Sequence, residues 1–285
     1  MAPARTPSES SASSLPTVTI SANQSSIGLN LREIWDYRDL FYLLALRDIQ
    51  VRYKQTAMGA AWAIIQPLAS TVIFSVLLGR LAKVPSDGVP YPLHVFAGMT
   101  LWTFFANSVT NGGNSLVGNS NLVTKVYFPR IIMPAAAVAA GLLDFAIAFV
   151  VQLGLLAYYR VALTIDVLAV LPIVAITVVL GAAVGLWMSA LNVKYRDVRY
   201  AIPFAIQLWM FATPIIYPST LVPAKWRWLT ALNPMTGLVD GFRSALLNRP
   251  FDWLSLGFSA LLTGGILLYA SFSFRRMERH FADVV

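Results

Sequence analysis

The chain has 285 residues, of which 57% are hydrophobic and only 12% are charged, and it carries a formal net charge of +8. A soluble domain has about a quarter charged residues, so this composition argues against a water-soluble globule and for a helical membrane protein. The sequence contains no cysteine, which excludes disulfides, thiolate metal sites and cysteine nucleophiles.

The first segment, residues 1–28, is rich in Ser, Thr, Ala and Pro and has no apolar run. We expect a disordered tail that stays uncleaved, because it lacks the apolar core of a signal peptide. Residues 29–56 mix apolar and aromatic side chains with many charges at roughly helical spacing. This pattern predicts an amphipathic helix along the cytoplasmic membrane interface; the alternative is a soluble helix docked on a partner.

Six apolar stretches follow, each near the length that crosses a bilayer. They cover residues 57–81, 91–116, 131–159, 167–191, 201–217 and 253–274. The fold class is therefore predicted to be all-α and polytopic, with residues 29–285 forming one transmembrane domain. Lys and Arg are more frequent in the connections on one side, as around 47–54, 125–130, 194–199 and 275–279, so we expect that side and both termini to be cytoplasmic.

The connection between the fifth and sixth stretches, residues 218–250, is semi-apolar and unusually long. Pro223 and the Asn233–Pro234 pair divide it into two helical pieces, each too short to span. Such pieces are typical of re-entrant or interfacial helices, so they predict a lid on the outer face that includes Trp226 and Trp228. The alternative is a surface hairpin without a gating role.

Motifs for nucleotide, metal or serine chemistry are missing from the sequence. It has no phosphate-binding loop, no H-E-x-x-H and no G-x-S-x-G, and its two histidines, His94 and His280, are far apart. We therefore expect neither catalysis nor a metal site here, and any ATP that drives the protein would bind to another subunit.

Asp144 is the one carboxylate inside a predicted span, which makes it a candidate functional group. It fits a proton-coupled carrier, but also a hydrogen-bonded acid at a helix contact or facing a pore. Small residues at Gly181 and Gly185 predict close helix packing, within the chain or between chains.

Aromatic residues are concentrated in the second and fifth stretches. Two interpretations stay open, namely packing against core or lipid, and stacking on sugar rings along a partly hydrated pathway. The candidate pore-lining residues are Trp102, Phe105, Trp209 and Tyr217.

Four blocks, in order, resemble the ABC-2 type permeases that export polysaccharides, and most closely those for O-antigen and teichoic acid. The first is RDIQVRYKQTAMGAAW at 47–62, followed by Gln66-Pro67. The others are NLVTKVYFPR at 121–130, LNVKYRDVR at 191–199, and LNPM at 232–235 followed by GFR at 241–243. The resemblance covers about residues 29–275 and implies the six-span ABC-2 exporter fold.

The resemblance also implies a working assembly. Two copies of the chain would form a pore across the bacterial inner membrane, and two separate ABC ATPase subunits would bind ATP and Mg. The substrate would be a glycan on a polyprenyl pyrophosphate. From their position where the interface helix meets the first span, we hypothesise that Arg47, Arg52 and Lys54 attract this pyrophosphate. The outer gate would contain Trp226, Trp228, Asn233 and Pro234. The segment 118–130 would couple to the ATPase through Asn121, Leu122, Val123, Lys125, Tyr127, Phe128, Pro129 and Arg130.

Three alternatives remain at this point. An ABC-2 exporter of another lipid or small amphiphile is the nearest. A secondary carrier would show paired inverted halves or several buried charges. A membrane transferase would place acidic or histidine clusters at a membrane face.

Overall fold

The computed structural model describes residues 35–54, 59–86 and 88–278, so the predicted tail at 1–28 and His280 lie outside the described residues. The described part is helical, without a strand. Its longer helices are α1 (Arg38–Lys54), α2 (Gly59–Phe74), α3 (Tyr91–Gly118), α5 (Ile132–Tyr158), α6 (Val170–Lys194), α7 (Val198–Ala212), α9 (Pro234–Leu247) and α10 (Trp253–Glu278). Two short helices complete the set, α4 (Ser120–Lys125) and α8 (Arg227–Ala231).

Prolines and caps place several of these boundaries. Pro90 precedes α3, and Pro234 opens α9, where its missing N–H leaves no donor unsatisfied. The Asn233 side chain caps α9 by accepting a hydrogen bond from the backbone N–H of Met235. Asn248 directly follows the last residue of α9, and its φ of 54° is the left-handed conformation that asparagine tolerates at helix ends.

Four segments are long and apolar enough to cross a membrane: Ala61–Leu81, Ile132–Tyr158, Ile165–Lys194 and Trp253–Glu278. The first combines α2 with a π-helical continuation, Ser75–Leu81, and the third begins with a 3₁₀ turn at Ile165–Ala169. These four correspond closely to predicted stretches one, three, four and six.

The other two predicted spans, α3 and α7, do not meet these length and hydropathy criteria, each for a different reason. α3 has 28 residues, about 42 Å of helix, but its Asn, Ser, Thr and Gly residues lower its hydropathy. α7 has 15 residues, about 22 Å, and ends at Ala212, five residues before the predicted end of the fifth stretch. The count of six spans therefore stays a prediction.

α3 is the central helix, packing most extensively against α6 and α5. A Cβ added to Gly112 would lie 3.2 Å from the Cα of Gly185, and one added to Gly181 would lie 2.8 Å from the Cβ of Ser108. The predicted small-residue packing at Gly181 and Gly185 is thus confirmed, and it occurs within the chain, between α6 and α3.

The predicted re-entrant segment is half core and half surface. Every residue of α9 except Asp240 is buried, and α9 packs against α10, α3 and α6. In contrast, the two 3₁₀ turns, Ser219–Leu221 and Ala224–Trp226, and α8 bury no residue. The prediction of two short helical pieces is confirmed, whereas their role as a lid stays a prediction.

Candidate functional site

The clearest polar arrangement in the described chain joins α1 to the middle of α5. A guanidinium nitrogen of Arg52 pairs with one carboxylate oxygen of Asp144, and the hydroxyl of Tyr53 donates to the other. The Arg52 and Asp144 side chains are 29% and 17% exposed, so both charges are mostly removed from solvent. Burial and the hydrogen bond to Asp144 raise the pKa of Tyr53, which keeps its phenol protonated.

This pair includes one contact that the sequence did not predict and confirms one interpretation. Arg52 reaches Asp144 from α1, 92 positions away in sequence. The interpretation of Asp144 as a hydrogen-bonded acid at a helix contact is confirmed. Arg52 is consequently bound to Asp144 in this structure, rather than presented to a lipid headgroup.

The same contact shows how α1 lies on the bundle. Leu44 and Ala45 share a buried cluster with Met133 and Ala136 near the start of α5. Arg52, two turns further along α1, meets Asp144, about two turns further along α5. α1 therefore runs beside the first half of α5 instead of crossing its end. Its exposed side includes the apolar side chains Tyr42, Leu43 and Val51.

The other two predicted headgroup residues have different surroundings. The Arg47 guanidinium is 2.8 Å from the Asp48 carboxylate and 41% exposed, and Lys54 is exposed at the end of α1. Of the three cations, Lys54 and Arg47 are thus the ones at the protein surface.

A cavity of about 310 Å³ lies beside the Arg52–Asp144 pair, between α1, α2, α3 and α5. Its α3 wall carries Thr103, Asn107 and Asn111, which recur every four residues and so share one helix face. The sequence reasoning missed this site. The signal that was available is the helical spacing of these polar residues within an apolar stretch.

Some side chains of the predicted coupling segment are buried, and others are exposed. Val123 and Phe128 are only 6% and 4% exposed and pack in the buried cluster around α1 and the start of α5, whereas Tyr127 is 69% exposed. Val123 and Phe128 therefore support the segment from inside, whereas Tyr127 is exposed, and the coupling role of all three stays a prediction. Lys125 and Asn121 are exposed, while Leu122, Pro129 and Arg130 are half-buried.

Arg130 connects the coupling segment to the end of the chain. Its guanidinium donates a 3.3 Å hydrogen bond to the backbone carbonyl of Glu278, at the last turn of α10. The Arg130 side chain therefore connects the coupling segment to α10 within the chain, in addition to any contact with a partner.

The four candidate pore-lining rings lie in two environments. Trp102 and Phe105 are 3% and 0% exposed, and their ring centroids lie 6.4 Å and 5.0 Å from that of Trp209. In this structure these two rings are part of the core, as the packing interpretation expected. Trp209 and Tyr217 are half-buried, and the Tyr217 hydroxyl donates to the carbonyl of Phe211 at 3.3 Å.

The predicted outer gate is linked to α7 through Asn233. The Asn233 side chain accepts from the Trp209 indole N–H at 2.9 Å and donates to the Thr213 hydroxyl at 2.8 Å. The gate tryptophans Trp226 and Trp228 are 49% and 61% exposed, respectively. Asn233 therefore joins the end of α7 to the start of α9, and the two tryptophans lie on the surface beside this junction.

Arg243, which belongs to the fourth resembling block but was given no role there, lies on the other side of that junction. It is 2% exposed and donates to the carbonyls of His94, at 3.1 Å, and of Pro214 and Ile215, at 2.7 and 2.5 Å. Asp240, one turn earlier, lies 3.4 Å from the guanidinium. A buried charge needs hydrogen-bond partners, and here they are two carbonyls of the turn that follows α7 and one carbonyl from the first turn of α3.

These features define a multi-pass helical membrane protein with a polar cavity near its first helices and no recognised enzyme motif. The sequence profile described as ABC-2 type transporter matches residues 39–247, so the chain belongs to the ABC-2 type transporter family.

Curated relatives match over most of their length. The chain is 28% identical to the O-antigen export system permease protein RfbA of Klebsiella pneumoniae, over 87% of this chain and 95% of that protein. It is 27% identical to the protein of the same name from Myxococcus xanthus, over 90% of this chain and 98% of the relative. The polysialic acid transport protein KpsM of Escherichia coli is 22% identical over 77% of this chain and 86% of its own length.

Proposed function

We propose that this chain is the membrane-spanning subunit of an ATP-driven exporter that carries a polyprenyl-pyrophosphate-linked, O-antigen-like polysaccharide across the inner membrane. The observation that carries the proposal is the end-to-end match to proteins named O-antigen export permeases, which covers at least 95% of those relatives. A match of that extent involves the whole permease fold, whereas a shared fragment would cover only part of it.

The proposed assembly contains two copies of this chain and two ABC ATPase subunits, with both termini of the chain in the cytoplasm. ATP and Mg bind to the ATPases, and this chain has no cofactor or enzymatic step of its own. Tyr127 and Lys125 support this arrangement, because both project from the coupling segment while Val123 and Phe128 hold it against the bundle.

For the lipid pyrophosphate, we assign the attraction to Lys54 and Arg47 at the exposed side of α1. Cations near a membrane surface attract anionic headgroups by about 1 kcal/mol each. Arg52, in contrast, acts through its pair with Asp144, which holds α1 against α5. The same pair gives Asp144 a role in holding two helices together.

The experiment is complementation of a strain that makes a lipid-linked O-antigen and has lost its own permease. The chain would be expressed with its cognate ATPase, and surface polysaccharide would be measured by immunoblotting. Export that needs both subunits and a hydrolysis-competent ATPase supports the proposal. Export without the ATPase, or the transport of small amphiphiles alone, would replace it with a carrier or with another ABC-2 exporter.

A direct test of coupling is co-purification. The ATPase should be retained by tagged wild-type chain and lost with Lys125→Glu together with Tyr127→Ala. Retention by that double variant would contradict the assignment of 118–130 to coupling.

A further inference from the structure

The cavity beside Arg52 and Asp144 has the chemistry of a site for an uncharged polar ligand. Its α3 wall presents Thr103, Asn107 and Asn111, and Gln66 adds a second amide from α2. Hydroxyl and amide groups both donate and accept hydrogen bonds, so they match a ligand that is rich in hydroxyls. A volume of about 310 Å³ is at the lower end of the roughly 300–1,000 Å³ found for small-molecule sites.

Charge argues against an anion as the occupant. The lining includes one cation, Arg52, and one carboxylate, Asp144, and these two are paired with each other. The net charge of the lining is therefore zero, and a pyrophosphate entering the cavity would meet the Asp144 carboxylate as well as the guanidinium.

Thr100 extends the polar part of the α3 wall by one turn. It lines the cavity and is 1% exposed, and its hydroxyl has no hydrogen-bond partner within the protein. Thr110, Thr177 and Thr263 donate to the carbonyl four residues earlier, whereas Thr100, like Thr71 and Thr236, does not. A buried hydroxyl left unpaired costs about 1–3 kcal/mol, so Thr100 would gain from a small shift that brought a hydrogen-bonding ligand within its reach.

The cavity also has aromatic walls. Phe104 and Phe145 pack edge to face, with ring centroids 5.5 Å apart, and are nearly buried; Trp62 is 59% exposed. The exposed ring of Trp62, beside hydrogen-bonding groups, suits a pyranose, because a pyranose has an apolar face and a rim of hydroxyls. A lipid chain would leave the amides and hydroxyls of the α3 wall without partners.

We infer that this cavity binds one sugar residue of the exported glycan, on the side of α3 opposite to the buried rings of Trp102 and Phe105. The inference rests on the proposed function. It assigns the sugar contact to the polar residues Thr100, Thr103, Asn107 and Asn111 instead of the aromatic residues predicted from the sequence.

The test uses the purified full-length chain in lipid nanodiscs without glycolipid. Saturation-transfer difference NMR measures magnetisation passed from protein to two probes, methyl glucoside and tetraethylene glycol. We expect transfer to methyl glucoside that tetraethylene glycol does not show. Asn107→Leu and Thr103→Val should each weaken the affinity about fivefold, as expected for the loss of one hydrogen bond.

The matched control is Thr263→Val, which removes a hydroxyl bonded within α10 and away from the cavity. It should bind methyl glucoside as the wild type does. Three results would overturn the inference. These are equal transfer to both probes, no transfer to either probe, and wild-type affinity in both folded cavity variants. The cavity would then be interpreted as filled by water.

Complementation separates this inference from the proposed function. If wild type restores export but shows no sugar binding, the inference fails alone. If wild type restores no export although its ATPase is present, the proposed function fails, whatever the NMR result.

Discussion

Arg52, in the last turn of α1, pairs with Asp144, halfway along α5, and the hydroxyl of the adjacent Tyr53 occupies the second carboxylate oxygen. One carboxylate thereby holds two consecutive residues of α1. The contact lies at the end of α1 that is nearer in sequence to α2.

The first prediction concerns the strength of this pair. Arg52→Gln should lower the thermal midpoint of the detergent-solubilised chain, because it leaves the Asp144 charge without its partner; the expected cost is about 2–4 kcal/mol. The double variant Arg52→Gln/Asp144→Asn should lose less than the sum of the single variants. Arg47→Gln, which breaks an exposed pair, is the control and should change stability by under about 1 kcal/mol. Additive losses would show that the two residues do not interact.

The second prediction separates two neighbours in the coupling segment. Tyr127→Ala should leave thermal stability unchanged but weaken retention of the ATPase, since the ring is exposed. Phe128→Ala should destabilise the chain by about 3–5 kcal/mol, because it empties a buried site. Differential scanning fluorimetry and co-purification measure the two effects. If the Phe128→Ala chain is stable but no longer retains the ATPase, Phe128 itself contributes to ATPase binding.

The third prediction concerns the glycines of α6. Gly181→Val should separate α6 from α3, since even a Cβ would lie 2.8 Å from that of Ser108, and the expected result is aggregated protein on size-exclusion chromatography. Gly154→Ala, on α5, is the control because its added Cβ meets no atom within 4 Å. It should be neutral or stabilising by up to about 1 kcal/mol. Monodisperse Gly181→Val protein with wild-type stability would refute the close approach.

The fourth prediction concerns Asn233. Asn233→Ala removes the cap of α9 and two side-chain hydrogen bonds to α7, with an expected loss of about 1–3 kcal/mol. Thr230→Ala, at an exposed position of α8, should have little effect. The double variant Trp209→Phe/Asn233→Ala offers a second measurement, because it should lose less stability than the sum of the two single variants; additive losses would indicate that the bond is absent in solution.

The fifth prediction tests whether Arg243 acts through geometry as well as charge. Arg243→Lys keeps the charge but cannot reach three carbonyls with a planar fork, so folded yield should fall sharply. Arg227→Lys, where the arginine is exposed and makes one 3.3 Å bond to Val222, is the control. Equal yields would mean that a point charge is sufficient at the end of α7.

The sequence predicted what depends on local pattern. Helix ends near Pro90 and Asn233 follow from residues that cannot continue or that cap a helix, and the Gly181–Gly185 spacing identified a close contact. Long-range pairing was not predictable in this way. Nothing near Arg52 indicates a partner 92 residues away, and Val123 and Tyr127 look equally suited to a docking face until the position of α1 decides which one is covered.

The Gly112–Gly185 contact has a mechanical consequence. Because backbone lies against backbone, this contact has no side chain that could rearrange, and we expect α3 and α6 to keep their spacing. α7 is attached differently, since within this chain it buries only Ile202 and Ile206, and exposing both would cost about 3–6 kcal/mol. We therefore expect a change of shape to displace α7, near Asn233 and Arg243, at a lower cost than it would separate α3 from α6.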